Sequence, residues 1–183
     1  MKMLKKLLAV VLTGAMALTL LTACGGNAVN DKNIADALND IVKSSVAAGL
    51  TKDYTFKPHT DEQAMAKAIA ALSEAEWNTK GDGDNKFSGP VMKILGLNEG
   101  GKNETSRFVW CGAVVADEIG ATGQAYHAMN EFLGKDAANA GKLPNKKPGD
   151  IRYIGTALGT LTIQGKQTTV RFIVVTAEAV DKK

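Results

Sequence analysis

Acidic, imidazole and aromatic side chains that could form a cleft are grouped in the second half of the chain. Asp117 and Glu118 are adjacent carboxylates, and His127 follows them in a segment with helical periodicity. A carboxylate and an imidazole act as general acid and base when their surroundings separate their pKa values. Trp110 and Tyr126 suit the lining of an apolar groove. These five residues are our candidate cleft, although the two acids equally suit a helix N-terminus and the two aromatics the core.

Other hallmarks of catalysis are missing from the sequence. The chain has no G-x-S-x-G elbow, P-loop, HExxH or GxGxxG motif. Beyond the first 24 residues the available Cys and His are Cys111, His59 and His127, which are too few ligands of these types for a structural zinc site. His59 precedes a predicted helix, where we expect it to face solvent. We therefore expect no catalytic residue, no metal and no cofactor.

The first 23 residues have the plan of a secretory signal peptide. Residues 1–6 are short and basic, residues 7–21 are apolar, and small residues lead to Cys24. An uncleaved membrane anchor is the alternative, but the apolar stretch is at the low end of the length that spans a bilayer.

Leu21-Thr22-Ala23-Cys24 resembles the lipobox of bacterial lipoproteins. In that family the Cys thiol receives a diacylglyceryl group and becomes the new N-terminus. The resemblance implies a signal peptide over residues 1–23, a lipidated tether over residues 24–32, and attachment to the membrane. It places the protein on the outer face of the bacterial cell membrane, facing the extracellular or periplasmic space.

Charge and cysteine counts agree with this interpretation. The net charge of +3 comes from Lys2, Lys5 and Lys6 of the leader, because their removal leaves 19 cationic residues against 19 acidic ones. A neutral chain lacks the basic surface that nucleic acids require, so we expect no nucleic-acid partner. If Cys24 carries lipid, Cys111 has no disulfide partner, and its apolar neighbours predict a buried thiol.

Hydrophobic periodicity after the tether predicts a single α+β domain over residues 33–183. The predicted helices are 33–48, 60–77, 90–97 and 122–133. The predicted strands are 106–115, 151–163 and 168–175, of which the last two form a hairpin. Helices are expected to flank a small antiparallel sheet that contains all three strands.

Short motifs at fixed places in this order are similar to those of one family. Ala47-Ala48-Gly49-Leu50 is similar to A-x-G-L, Phe87-Ser88-Gly89 to F-S-H, residues 92–97 to M-K-x-x-G-I, and Ile154-Gly155-Thr156-Ala157 to I-G-V-G. Together they resemble the SCP-like extracellular domain of the CAP superfamily (cysteine-rich secretory, antigen and pathogenesis-related proteins) in its short bacterial form. The resemblance implies an α-β-α sandwich.

The departures from that family concern its metal site. Members that bind a divalent metal use two His and nearby carboxylates. Gly89 and Ala138 stand at the two His positions, and Asp117 stands at the position of the Glu in the G-E-N-I-A element, with Glu118 beside it. Carboxylates without an imidazole suit a transition metal poorly. The resemblance therefore implies a degenerate cleft without metal.

Two functions follow from these observations. The first is a non-catalytic surface module that binds a peptide, glycan, lipid or protein. The alternative is an envelope-acting hydrolase with Asp117, Glu118 and His127 as acid–base groups. We favour binding because the sequence contains no recognisable activated nucleophile or metal cage. Convergence of these three side chains in one cleft would favour the hydrolase instead.

Overall fold

The structure is a computed structural model that describes residues 29–78, 87–116 and 119–182. The leader, Cys24 and the acidic pair Asp117–Glu118 lie outside the described residues. The expectations about the signal peptide, about lipidation and about this acidic pair therefore stay predictions.

Five α-helices form in the described part of the chain. They are α1 (Asp31–Ala47), α2 (Thr60–Ala70), α3 (Glu74–Asn78), α4 (Gly89–Ile94) and α5 (Ala121–Ala128). A π-helical turn, Met129–Leu133, follows α5 directly, and a 3-10 turn, Ala140–Lys142, comes further on. None of the helices in the described ranges is long and apolar enough to cross a bilayer.

Helix α1 begins at Asp31 because a capping box defines its start. The Asn30 side chain accepts a hydrogen bond from the backbone N–H of Asn33, and the Asn33 side chain accepts one from the backbone N–H of Asn30. The Asp31 carboxylate in turn accepts a hydrogen bond from the backbone N–H of Thr156 on the sheet, at 3.0 Å. Residues 29–32, which we assigned to the tether, thus belong to the folded domain.

Five strands form one sheet around a long central strand. They are β1 (Thr55–Pro58), β2 (Arg107–Val115), β3 (Lys146–Pro148), β4 (Ile151–Ile163) and β5 (Lys166–Asp181). The main order is β1-β4-β5-β2, with β3 paired to the end of β5. The predicted β4–β5 hairpin is confirmed, and so is the place of β2 in the same sheet, where it pairs with β5 in antiparallel orientation.

The prediction of a purely antiparallel sheet is wrong, because β1 pairs with β4 in parallel. Phe56 is the one buried residue of this four-residue strand. Asn39 of α1 holds the strand in place: its side-chain oxygen accepts from the Phe56 N–H at 2.7 Å, and its amide donates to the Phe56 carbonyl at 3.0 Å. The sheet is therefore mixed, and its β1 edge is tied to a helix.

The central strand sends alternate side chains to opposite faces of the sheet. Ile173 and Val175 pack with α1 and α5 in one apolar cluster. Phe172 and Val174 pack with α2 and α4 in a second cluster. The α+β class, with helices flanking the sheet, is confirmed, and both clusters consist of residues within 29–182.

Helix α2 lies directly against the sheet at Gly155. A Cβ atom at this position would lie 1.9 Å from the backbone nitrogen of Gln63. Only glycine permits this approach, so Gly155 sets the distance between α2 and β4.

Candidate functional site

A cavity of about 690 Å³ lies on the α1 side of the sheet. Its size is within the range of pockets that hold small ligands. The walls are formed by the C-terminal half of α1, by β2 and β4, by the π-helical turn and by residues 134–148. Most of the walls are aliphatic or aromatic, and the main apolar side chains are Ile41, Val42, Tyr54, Phe108, Trp110, Tyr126, Met129, Leu133 and Leu143.

The π-helical turn contributes one wall of the cavity. Met129 and Leu133 lie on this turn and line the space. Between them, Phe132 packs on β2 at Gly112, where a Cβ atom would lie 2.4 Å from the ring. Inserted π-helical turns are frequent at functional sites because they redirect side chains within an otherwise regular helix.

The outer rim, residues 134–148, is fastened to β2 by side-chain hydrogen bonds. The buried Asn139 accepts from the Val109 N–H at 3.1 Å and donates to the Arg107 carbonyl at 2.7 Å. The Trp110 indole N–H donates to the Lys135 carbonyl at 2.9 Å. These contacts give an otherwise irregular segment a defined position over the cavity.

Arg152 brings a positive charge from β4 into the apolar wall. Its guanidinium carbon lies over the Trp110 ring at 4.6 Å and over the Tyr54 ring at 4.9 Å. Its Nη1 atom is buried and has no hydrogen-bond partner among the described residues. Burial lowers the pKa of Arg152, and the charges of Tyr54 and Asp150 oppose this effect. Arginine nevertheless remains protonated at physiological pH.

Lysines surround the cavity. The cationic lining residues are Arg152, Lys135, Lys146, Lys147 and Lys182, whereas Asp136 is the one acidic lining residue. Lys146 is paired with Asp181 at 2.8 Å, and the Lys182 ammonium donates to the Pro144 carbonyl at 2.6 Å. The cavity is therefore apolar inside and positive in sign, which suits an apolar ligand with a negative group.

The candidate cleft residues are only partly brought together. Trp110 and Tyr126 both line the cavity. His127 is exposed and lies outside it, with its ring edge-on to Tyr126 at 6.2 Å between centroids. Asp117 and Glu118 lie outside the described residues.

The predicted burial of Cys111 is confirmed. Its side chain belongs to the apolar cluster on the α2 side of the sheet, away from the cavity. Burial raises the pKa of this thiol to about 12. Cys111 is therefore a neutral core residue and not an activated nucleophile.

A cluster of polar side chains around Glu62, on the α2 side of the sheet, was not predicted from the sequence. The fully buried Glu62 accepts from the Thr176 hydroxyl at 2.6 Å and lies 2.5 Å from Nδ1 of His59 and 3.5 Å from Arg107. His59 is partly exposed and packs on Tyr153 at 4.9 Å between centroids. The i, i+3 spacing of His59 and Glu62 is the available sequence signal. These contacts satisfy a buried carboxylate that joins α2 to the sheet.

Among the described residues, no group of three or more His, Cys, Asp or Glu side chains is placed to hold a metal ion. The chain matches no protein-family model, no curated protein and no solved structure. Its function is therefore inferred from the geometry of the cavity.

Proposed function

We propose that this chain is a lipid-anchored, non-catalytic binding protein of the bacterial cell envelope, and that its cavity takes up a small apolar ligand. The observation that carries the proposal is the cavity of about 690 Å³ with aromatic and aliphatic walls. Such a space is the usual form of a small-molecule site.

The leader and the lipobox support the anchor at Cys24, and the start of the domain suits a tether. Arg171 donates to the Val29 carbonyl at 2.8 Å and to the Thr156 hydroxyl at 2.9 Å, while Thr156 donates to Asp31. The chain thus enters the domain at a point fixed to the middle of the sheet. The cavity begins near Ile41, about 15 Å further along α1.

We also propose that the domain is a divergent SCP-like member of the CAP superfamily. The order of elements, the helices on both faces of the sheet and the closing hairpin support this assignment. Gly89 begins α4, which Ser88 caps by accepting from the Val91 N–H at 3.4 Å. Ala138 donates its N–H to the Val109 carbonyl at 2.8 Å. The positions of the family's two metal-binding His thus serve a helix start and a loop attachment, consistent with a degenerate cleft.

Binding is favoured over the envelope-acting hydrolase by the position of His127. The hydrolase requires this imidazole to face a cleft beside Asp117 and Glu118, whereas His127 is exposed outside the cavity. A thiol nucleophile is also disfavoured, since burial raises the pKa of Cys111 to about 12.

A fluorescent apolar probe tests the proposal. The mature chain, residues 24–183 with Cys24→Ser so that no lipid is attached, is titrated with N-phenyl-1-naphthylamine, a neutral dye that fluoresces in apolar surroundings. We expect saturable binding at one site. Ala140→Phe, which fills part of the cavity, should weaken binding about tenfold or more.

Ala71→Phe is the matched control, because Ala71 is exposed at the end of α2, on the other side of the sheet. It should bind the dye as the unsubstituted chain does. Absence of saturable binding, or equal loss in both variants, would contradict the proposed function.

A further inference from the structure

Aromatic faces hold the guanidinium of Arg152, and no acidic side chain among the described residues forms an ion pair with it. Trp110 and Tyr54 lie at 4.6 and 4.9 Å from its central carbon. Contacts with ring faces do not use the N–H groups, which point outward in the guanidinium plane. Nη1 is one such group, buried and without a partner among the described residues. Arg152 thus contributes to the wall of an apolar cavity a guanidinium with no acidic partner among the described residues, and one of its donors is unpaired.

Buried charged donors are normally paired, because burial removes their hydration. A ligand oxyanion would provide the missing acceptor, and carboxylates match the planar donor edge of arginine well. The same cavity is lined by apolar side chains, among them Phe108, Met129 and Leu133. These residues can contact a hydrocarbon body, whereas a glycan would require many more polar partners.

The positive charges around the rim of the cavity also favour a ligand with a negative charge. Lys135 and Lys147 add positive charge to that of Arg152, and the lining contains one acidic residue, Asp136. A cationic head group would meet repulsion at this site, and a neutral head group would leave Nη1 without a charged acceptor.

We propose that the cavity recognises a carboxylate carried on an apolar body, with the carboxylate accepting hydrogen bonds from Arg152. This inference rests on the proposed function and names the chemical class of the ligand. Arg152 is the specificity-determining residue, and the apolar walls supply affinity that does not depend on the head group.

Three ligands of equal chain length separate the contribution of the head group from that of the apolar walls. They are decanoate, decan-1-ol and decylammonium. Each is titrated into the mature chain with Cys24→Ser by isothermal calorimetry, below the concentration at which it forms micelles. We expect decanoate to bind about tenfold or more tightly than decan-1-ol, as a charge-assisted hydrogen bond provides. Decylammonium should bind more weakly than decan-1-ol.

Arg152→Met keeps an apolar stem of similar length and removes the charged donors. It should weaken decanoate binding by about tenfold and change decan-1-ol binding by less than about threefold. Lys93→Met removes an exposed charge from α4, on the other side of the sheet, and is the matched control in which the preference for decanoate should persist. Circular dichroism establishes that both variants are folded.

The outcomes distinguish this inference from the proposed function. Equal affinity of the unsubstituted chain for decanoate and decan-1-ol would overturn the carboxylate inference and leave the binding function intact. A preference for decanoate that survives Arg152→Met would also overturn it. Failure of all three ligands to bind would contradict the binding function itself. If Arg152→Met does not fold, the comparison of ligands on the unsubstituted chain still decides.

Discussion

Arg152 is the single residue on which the proposed recognition of a carboxylate depends, and its burial costs stability. A buried donor without an acceptor costs about 1–3 kcal/mol, and more when it is charged. Two cation–π contacts offset about 0.5–2 kcal/mol each. The rings of Tyr54 and Trp110 thus hold the guanidinium in the cavity wall, where Nη1 has no hydrogen-bond partner among the described residues.

The Cys111 thiol should be chemically inert in the native protein. Burial raises its pKa to about 12, so the thiol stays protonated at pH 8 and the reactive thiolate is scarce. In the mature chain with Cys24→Ser, Cys111 is the only thiol. We expect iodoacetamide at pH 8 to leave it unmodified in native buffer and to alkylate it fully in denaturant, as measured by intact mass. Rapid alkylation of the native chain would contradict its burial.

The Glu62 carboxylate should contribute to stability through its charged hydrogen bonds. Glu62→Gln replaces it with an amide that cannot accept equally from Thr176, His59 and Arg107. We expect the free energy of unfolding to fall by about 2 kcal/mol, measured in urea. Asp61→Asn is the control, because Asp61 is exposed in the same first turn of α2 and should change stability by less than about 0.5 kcal/mol. Equal effects of the two substitutions would show that Glu62 acts only through the helix dipole.

At the scale of elements, strong periodicity was sufficient to predict α1, the β4–β5 hairpin and the presence of β2 in the same sheet. The weaker sequence signals did not predict strand β1 or the end of α2, and each case has a physical reason. Strand β1 has one buried residue and is held by a helix side chain from elsewhere in the sequence, Asn39. The helix predicted to reach Trp77 ends at Ala70, because Ser73 and Glu76 form a new helix start through hydrogen bonds of 2.7 and 2.8 Å.

The cavity was predictable only in part. Trp110 and Tyr126 were candidates because aromatic residues commonly line grooves. Arg152 was not a candidate, because a charged side chain in a strand is typical of the protein surface. Its neighbour Ile151 is exposed. Its partner Tyr54 comes from a distant segment, and such a contact is a property of the tertiary fold.

The spacing between α2 and β4 should depend on Gly155. A Cβ atom there would lie 1.9 Å from backbone nitrogen, so Gly155→Ala must displace the helix. We expect a loss of about 3 kcal/mol in the free energy of unfolding, seen in urea denaturation. Gly141→Ala is the control, since a Cβ atom at Gly141 has no neighbour within 4 Å. A Gly155→Ala variant as stable as Gly141→Ala would contradict the close packing of α2.

At the scale of the whole molecule, the proposed lipid anchor and the cavity lie at different ends of one domain. The proposed tether would join the domain at Val29, whose carbonyl accepts a hydrogen bond from Arg171 of the sheet, whereas the cavity lies beside the C-terminal half of α1. This arrangement places the cavity at the end of α1 away from the proposed lipid.

Lipidation itself is tested in cells that are given an alkyne-labelled fatty acid. The chain with Cys24 should become labelled and remain with the membrane fraction. Cys24→Ala should abolish the label, whereas Cys111→Ala should retain it, because Cys111 is a buried thiol outside the lipobox. Equal labelling of the chain and of Cys24→Ala would contradict the anchor.

The central claim, ligand binding in the cavity, is tested most directly by the indole N–H signals of the two tryptophans. Trp110 lines the cavity, and Trp77 packs on Phe172 on the opposite face of the sheet at 4.5 Å between ring centroids. In ¹H–¹⁵N spectra of the mature chain with Cys24→Ser, assigned with Trp77→Phe, decanoate should shift the Trp110 signal saturably and leave the Trp77 signal unchanged. An unchanged Trp110 signal at saturating decanoate, or equal shifts of both signals, would contradict it.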